Sequence, residues 1–218
     1  MQFDIFSDPI CPWCFIGKRR MEAAFKARPD VKANIQWHAF QLNPDMPLQG
    51  MDRQIYLTTK FGGVNRAKQV YDNIKAAGAT VGLDFKFDDI THTPSTMSAH
   101  RLIRYTQRIQ PNAADDLLEK LFTSYFFDGK NIGDMDILLE IAQKIGLDKD
   151  STRTFLQTTD DFKEVQAEDL QARNMGIGGV PCFIIDGQYA LSGAQEPEAF
   201  FPIFDLSIQA EIEKNASA

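Results

Sequence analysis

A short alternating segment, Phe3-Asp4-Ile5-Phe6-Ser7, runs into Cys11-Pro12-Trp13-Cys14, and a helical pattern starts directly behind it. The aromatic and β-branched residues of the first segment predict a strand. Cys14, Gly17, Met21, Ala24 and Phe25 then share one helical face, while Lys18, Arg19, Glu22 and Lys26 lie elsewhere. Pro12 suits the first helical position, where its missing N–H costs nothing. Arg28-Pro29-Asp30 ends that helix, and Ile35 to Phe40 predicts a second strand that closes at Asn43-Pro44. Residues 1–44 thus read as a β-α-β unit with two cysteines at its first strand-to-helix turn.

Residues 45–160 are almost wholly helical in pattern. Val70, Tyr71, Ile74 and Ala77 make one stripe, and Leu117, Leu118, Leu121, Phe122 and Tyr125 a clearer one. A third runs through Ile137, Leu138, Ile141, Ala142 and Ile145, with Asp134 placed to cap its start and Gly146 its end. All three are read as core. In residues 161–218 a helix from Lys163 to Met175 stops at Gly176, and Gly178-Gly179-Val180-Pro181 leads into a buried strand, Cys182-Phe183-Ile184-Ile185. Asp186-Gly187 is a hairpin signal, so Gln188 to Leu191 should pair antiparallel with that strand. A last helix begins near Pro197, kinked or delayed by Pro202. The order β-α-β, helices, α-β-β-α predicts an α/β fold whose central sheet is split by an inserted all-helical domain.

At 218 residues and 44% hydrophobic content, the chain can bury a core without disulfides or metals. Its net charge of −7 speaks against nucleic acid or an anionic membrane as a partner. No run approaches the roughly 18 apolar residues of a membrane span. The start, MQFDIFSD, carries two acids and no base, unlike a secretory signal, and is read as cytoplasmic. There a CxxC points to catalysis or metal binding. Zinc takes about four ligands; beyond the pair only Cys182, His38, His92 and His100 remain, with no second CxxC, so no metal is expected. Redox chemistry fits better. Cys11 would sit at a helix N-terminus, where free N–H groups and the dipole favour a thiolate, the attacking species in disulfide exchange. Cys14, one turn further in, would resolve the mixed disulfide.

Beyond these features the chain resembles the DsbA family of thioredoxin-fold oxidoreductases, within it the FrnE-like cytoplasmic branch. The resemblance rests on Cys11-Pro12-Trp13-Cys14-Phe15-Ile16-Gly17-Lys18-Arg19, Phe40-Gln41-Leu42-Asn43-Pro44, Ala99-His100-Arg101-Leu102, Gly179-Val180-Pro181 and Ser192-Gly193-Ala194-Gln195. It implies a thioredoxin fold with a helical insertion and no bound cofactor, glutathione serving at most as co-substrate. It implies a cis Val180–Pro181 bond facing the cysteines, with Pro12, Trp13, Val180 and Pro181 meeting a protein or small thiol or disulfide substrate. A homodimer is compatible with it. Two departures stand out. The buried acid that relatives carry six positions before the first cysteine is Ile5 here, with Asp4 and Asp8 as neighbours. The residue between the cysteines that is histidine in DsbA is Trp13.

Cys182 has two readings: a small buried core residue, or a third redox thiol that pairs with Cys11 or stabilises a mixed disulfide. His38 and His100 read as structural histidines, with a supporting role near the substrate groove open to His100. Two other functions stay open. One is a glutathione-dependent isomerase or transferase of the kappa-class or 2-hydroxychromene-2-carboxylate isomerase type. The other is a binding or chaperone module without enzymatic activity.

Overall fold

The computed structural model describes residues 1–216 and places β1 (Gln2–Ser7), α1 (Pro12–Ala27) and β2 (Asn34–Ala39) within one residue of the predicted strand limits. There come next β3 (Met51–Asp52), α2 (Arg53–Phe61), α3 (Val64–Ala79), β4 (His92–Thr93), α4 (Met97–Ile109), α5 (Ala114–Phe126), α6 (Met135–Lys144) and α7 (Lys149–Gln157). The chain then returns through α8 (Phe162–Asn174), β5 (Cys182–Ile185), β6 (Tyr189–Ser192) and α9 (Phe201–Ala216). Pro202 delays α9, which is entered through a 3-10 turn at Pro197–Phe200.

The main sheet has the order β2-β1-β5-β6, with β1 parallel to β2 and antiparallel to β5. β1 is therefore a central strand, and the cysteine-bearing turn at its end emerges mid-sheet. Alternation sorts the side chains. Phe3, Ile5, Phe183 and Ile185 point to the face covered by α1 and α9, where Phe3 packs edge-on against Phe25 and Phe204 and Phe183 meets Phe200. Phe6 and Cys182, paired in register, point the other way and pack with Ala172 of α8. The hairpin turns at Asp186-Gly187 with both residues at positive φ, 51° and 66°, and Gln188 N–H donates to the Ile185 carbonyl at 3.1 Å before Tyr189 pairs with Ile185.

Strand β2 lies at the sheet edge, where open N–H groups invite pairing with another chain. Side chains from the flanking helices close it. Trp37 N–H donates to Gln107 at 2.8 Å, Ala39 N–H to Glu168 at 2.9 Å and, just past the strand, Gln41 N–H to Asp169 at 2.7 Å.

The inserted region differs from the all-helical expectation in one respect. Met51 and Asp52 pair with Thr93 and His92 in a two-stranded ladder. Two residues are too few to show alternation in a sequence. Asp52 then caps α2 by accepting from Gln54 N–H at 2.8 Å and Ile55 N–H at 3.1 Å. Asp134 caps α6 as predicted, through Asp136 and Ile137. The helices dock on α1 immediately behind the cysteines: Phe15 stacks on Phe122 at 4.9 Å and also meets Phe85, Phe126 and Phe127. Beside this aromatic cluster the buried Lys18 amine pairs with Asp115 at 2.9 Å, Glu119 at 3.3 Å and its own-helix neighbour Glu22. A buried lysine persists only with such partners. The first turns of α1 are therefore held from two sides, by the sheet and by α5.

Candidate active site

Cys11 is the N-cap residue of α1 with extended backbone, φ −92° and ψ 112°, and Pro12 opens the helix proper. The free N–H groups of the first turn gather at this end, which gives the Cys11 sulfur an electropositive setting. Cys14 N–H bonds to Cys11 C=O at 3.0 Å and draws the second cysteine one turn inward. Both are buried, Cys14 with 2% of its surface exposed and Cys11 with 4%, and both are free thiols. Pro12 and Trp13 between them are half-buried.

The peptide bond Val180–Pro181 is cis, as the resemblance implied. Cys11 Sγ donates to the Val180 carbonyl at 3.5 Å, so the predicted pair of segments meets. Gly17 explains how α1 comes so close. A Cβ at that position would stand 2.7 Å from the Pro181 ring and 3.3 Å from Phe183, inside contact distance. Arg20 secures the other flank: it donates to the Ala194 carbonyl and pairs with Glu196, while Gly193 N–H bonds to Pro181 C=O at 2.8 Å. The stretches Cys11–Arg20, Gly179–Pro181 and Ser192–Gln195, scattered in sequence, thus converge.

Burial pushes the Cys14 thiol well above its ordinary value, and the adjacent Cys11 pushes it further. Two groups act in the opposite direction, the Ser7 hydroxyl and the backbone N–H of Asp8. Ser7 continues the inner face of β1 after Phe3 and Ile5 and is 3% exposed, and its hydroxyl has no hydrogen-bond partner among the described residues.

Asp8 is fully buried, and its carboxyl is raised to about 7 because burial outweighs its hydrogen bonds. Its oxygens accept from Leu42 N–H at 2.7 Å and Ile10 N–H at 3.3 Å, tying the cysteine loop to the chain leaving β2. His100 from α4 faces it, Nε2 3.8 Å from Asp8 Oδ1. Burial lowers His100 to about 4, so the imidazole is neutral; the Phe40 carbonyl holds its other nitrogen, and Nε2 has no hydrogen-bond partner among the described residues. His100 thus faces Asp8 on one side and the Phe40 carbonyl on the other. Asp4, the other acid considered near the site, instead meets His38 at 2.8 Å on the opposite face. Sequence reasoning missed Ser7, for which the parity of β1 was the signal, and named Asp8 only as a neighbour of Ile5.

Cys182 packs with Phe6, Phe40, Ala172 and Ile177, whereas Cys11 and Cys14 lie in the α1-side core with Phe3, Ile5 and Phe183. The sheet stands between the third thiol and the pair. Burial also raises the Cys182 thiol.

Past Leu42 opens a groove of about 380 Å³, lined by Pro44, Met46, Pro47, Met51 and Tyr56 with Lys60 beside it. A larger hollow of about 630 Å³ lies at the start of α8 among Arg108, Asp161 and Lys163, and no cysteine borders it. Among the described residues no group of three or more His, Cys, Asp or Glu side chains is placed to hold a metal ion.

The DSBA-like thioredoxin domain model matches residues 2–201. YwbO of Bacillus subtilis, a protein described as uncharacterised, is 29% identical over 201 residues, 90% of this chain and 92% of its own. The crystal structure of the probable DsbA oxidoreductase SCO1869 from Streptomyces coelicolor superposes with a TM-score of 0.85 at 30% identity, covering 96% of this chain and 90% of that one. The cytosolic disulfide reductase DsbM of Pseudomonas aeruginosa shares the fold, with a TM-score of 0.66 at 15% identity over 98% of this chain and 99% of its own; it has also been solved with glutathione.

Proposed function

This chain belongs to the DSBA-like thioredoxin domain family, and on that premise we propose that it exchanges thiols and disulfides through Cys11 and Cys14. One observation carries the reading: Cys11 caps α1 with its sulfur against the Val180 carbonyl, and Cys14 waits one buried turn behind it. Cys11 attacks a substrate disulfide, or in the reverse direction is itself attacked when bridged to Cys14. Cys14 closes or opens the bridge from beneath. The backbone at Val180 offers strand-like pairing to an extended substrate segment, and the groove past Leu42 receives the side chains of that segment. Substrates are disulfides or thiols of proteins or small molecules, glutathione among them, with the cytosol as the setting; DsbM, a cytosolic disulfide reductase that shares the fold, has been solved with glutathione.

The test is catalysed reduction of a protein disulfide, such as that of insulin, by dithiothreitol. Acceleration in proportion to enzyme concentration is expected. A rate equal to that of dithiothreitol alone would remove the oxidoreductase reading.

A further inference from the structure

We propose that Ser7 is a positioning residue for the resolving cysteine: its hydroxyl and the Asp8 backbone N–H form a two-donor pocket that receives the Cys14 sulfur when it carries the bond's electron pair. The inference rests on the dithiol-exchange reading above.

Three observations converge on it. Alternation along β1 turns Ser7 to the same side as Phe3 and Ile5, the face on which Cys14 is buried. Its hydroxyl is enclosed and makes no hydrogen bond of normal geometry while Cys14 is a neutral thiol. A hydroxyl left unpaired inside a protein costs stability, and one that persists calls for a role. Lastly, Ser7 and the Asp8 N–H are the groups that ease ionisation of Cys14, against burial and Cys11, which oppose it. Lys60, His100 and Asp169 are the other charged or titratable groups nearby, and they act on Asp8 and His100. The position six before Cys11, where a carboxylate would accept a proton, holds Ile5, which is fully buried. The chain therefore meets the need with donors: they do not take the proton from Cys14 but stabilise the sulfur without it.

A substrate thiolate attacks Cys11 Sγ in the Cys11–Cys14 disulfide; a new S–S bond forms there, the old one breaks, and its electron pair leaves on Cys14 Sγ. Ser7 O–H and Asp8 N–H hydrogen-bond that thiolate until solvent supplies a proton. A second substrate thiolate then releases Cys11, so the substrate is oxidised and the enzyme reduced. In the reverse direction the same donors hold the Cys14 thiolate as it attacks the mixed disulfide.

Both directions pass through one ionised Cys14, whereas the reduced enzyme at neutral pH holds it protonated. Loss of the donor therefore slows exchange both ways and leaves the equilibrium in place. The experiment is quenched-flow reduction of the oxidised full-length protein by dithiothreitol, and its reoxidation by oxidised dithiothreitol, in wild type, Ser7→Ala and Ser7→Thr. Ser7→Ala is expected to lower both rate constants by roughly tenfold, with an unchanged equilibrium constant and an unchanged or higher melting temperature. Ser7→Thr restores the rates. Wild-type rates in a folded Ser7→Ala protein, or a rate loss that only tracks a lower melting temperature, would overturn the assignment. A wild-type protein that never cycles would instead strike the dithiol-exchange reading itself.

Discussion

Cys14→Ser is expected to stop multiple turnover while leaving one covalent event intact. Cys11 would still attack a substrate disulfide, since its place at the head of α1 and its contact with the Val180 carbonyl do not depend on the second sulfur. The mixed disulfide would then persist, because the thiol poised to break it has gone. In the native protein that thiol is one helical turn away and fixed by the Cys14 N–H to Cys11 C=O bond at 3.0 Å. An external thiol at millimolar concentration replaces a neighbour whose effective concentration is orders of magnitude higher, so turnover should fall at least about a hundredfold. Mass spectrometry should show one substrate molecule attached at Cys11. Cys11→Ser should trap nothing. A glutathione-dependent isomerase, for which one thiol would only orient a cofactor, would keep its turnover in Cys14→Ser, and that result would favour it.

Asp8→Asn is expected to reverse the pH dependence of stability around the site. The folded carboxyl binds its proton up to about pH 7 while an unfolded one releases it near 3.8. Between those limits the folded state holds more protons, so stability is present below pH 4 and is lost as pH rises to 7. His100 runs the opposite way: lowered from 6.5 to about 4, it costs stability as pH falls through that window. In the native protein the two slopes oppose each other. Asparagine mimics the protonated acid, with its carbonyl accepting from Leu42 N–H and its amide turned toward the bare His100 Nε2. A shift of about three units corresponds to about 4 kcal/mol, less about 1 kcal/mol for the lost Ile10 N–H bond. Urea denaturation should therefore show Asp8→Asn more stable than wild type by on the order of 3 kcal/mol at pH 8. At pH 4.5 the advantage should vanish. A variant less stable than wild type at pH 8 would contradict a protonated, buried Asp8.

The cysteine turn, the split sheet and the hairpin can be read from the chain because local chemistry dictates them. Pro12 favours a helix start, Asp134 caps α6 through its own next residues, and Asp186-Gly187 turns without help. Gly17 looks in sequence like one more small residue on a helical face; only the approach of Pro181 shows why no larger side chain fits. Asp8 escapes a sequence reading because a carboxyl between a strand and a proline looks like a loop residue. Its burial depends on Leu42 and His100, which arrive from β2 and α4. The face taken by Cys182 is in principle legible from strand parity, but only once the pairing with Phe6 fixes the register. The two-residue ladder of β3 and β4 has no sequence signature at all.

The measurement that bears most directly on the central claim is the redox equilibrium of the pair. The protein would be equilibrated in graded glutathione buffers, the free thiols alkylated, and the modified positions mapped. One reversible two-electron transition is expected, in which Cys11 and Cys14 lose and regain their labels together. Cys182 should stay reduced throughout, and Cys182→Ser should leave the midpoint where it was. Cys11 and Cys14 that never bridge, or a bridge that joins Cys11 to Cys182, would contradict the account.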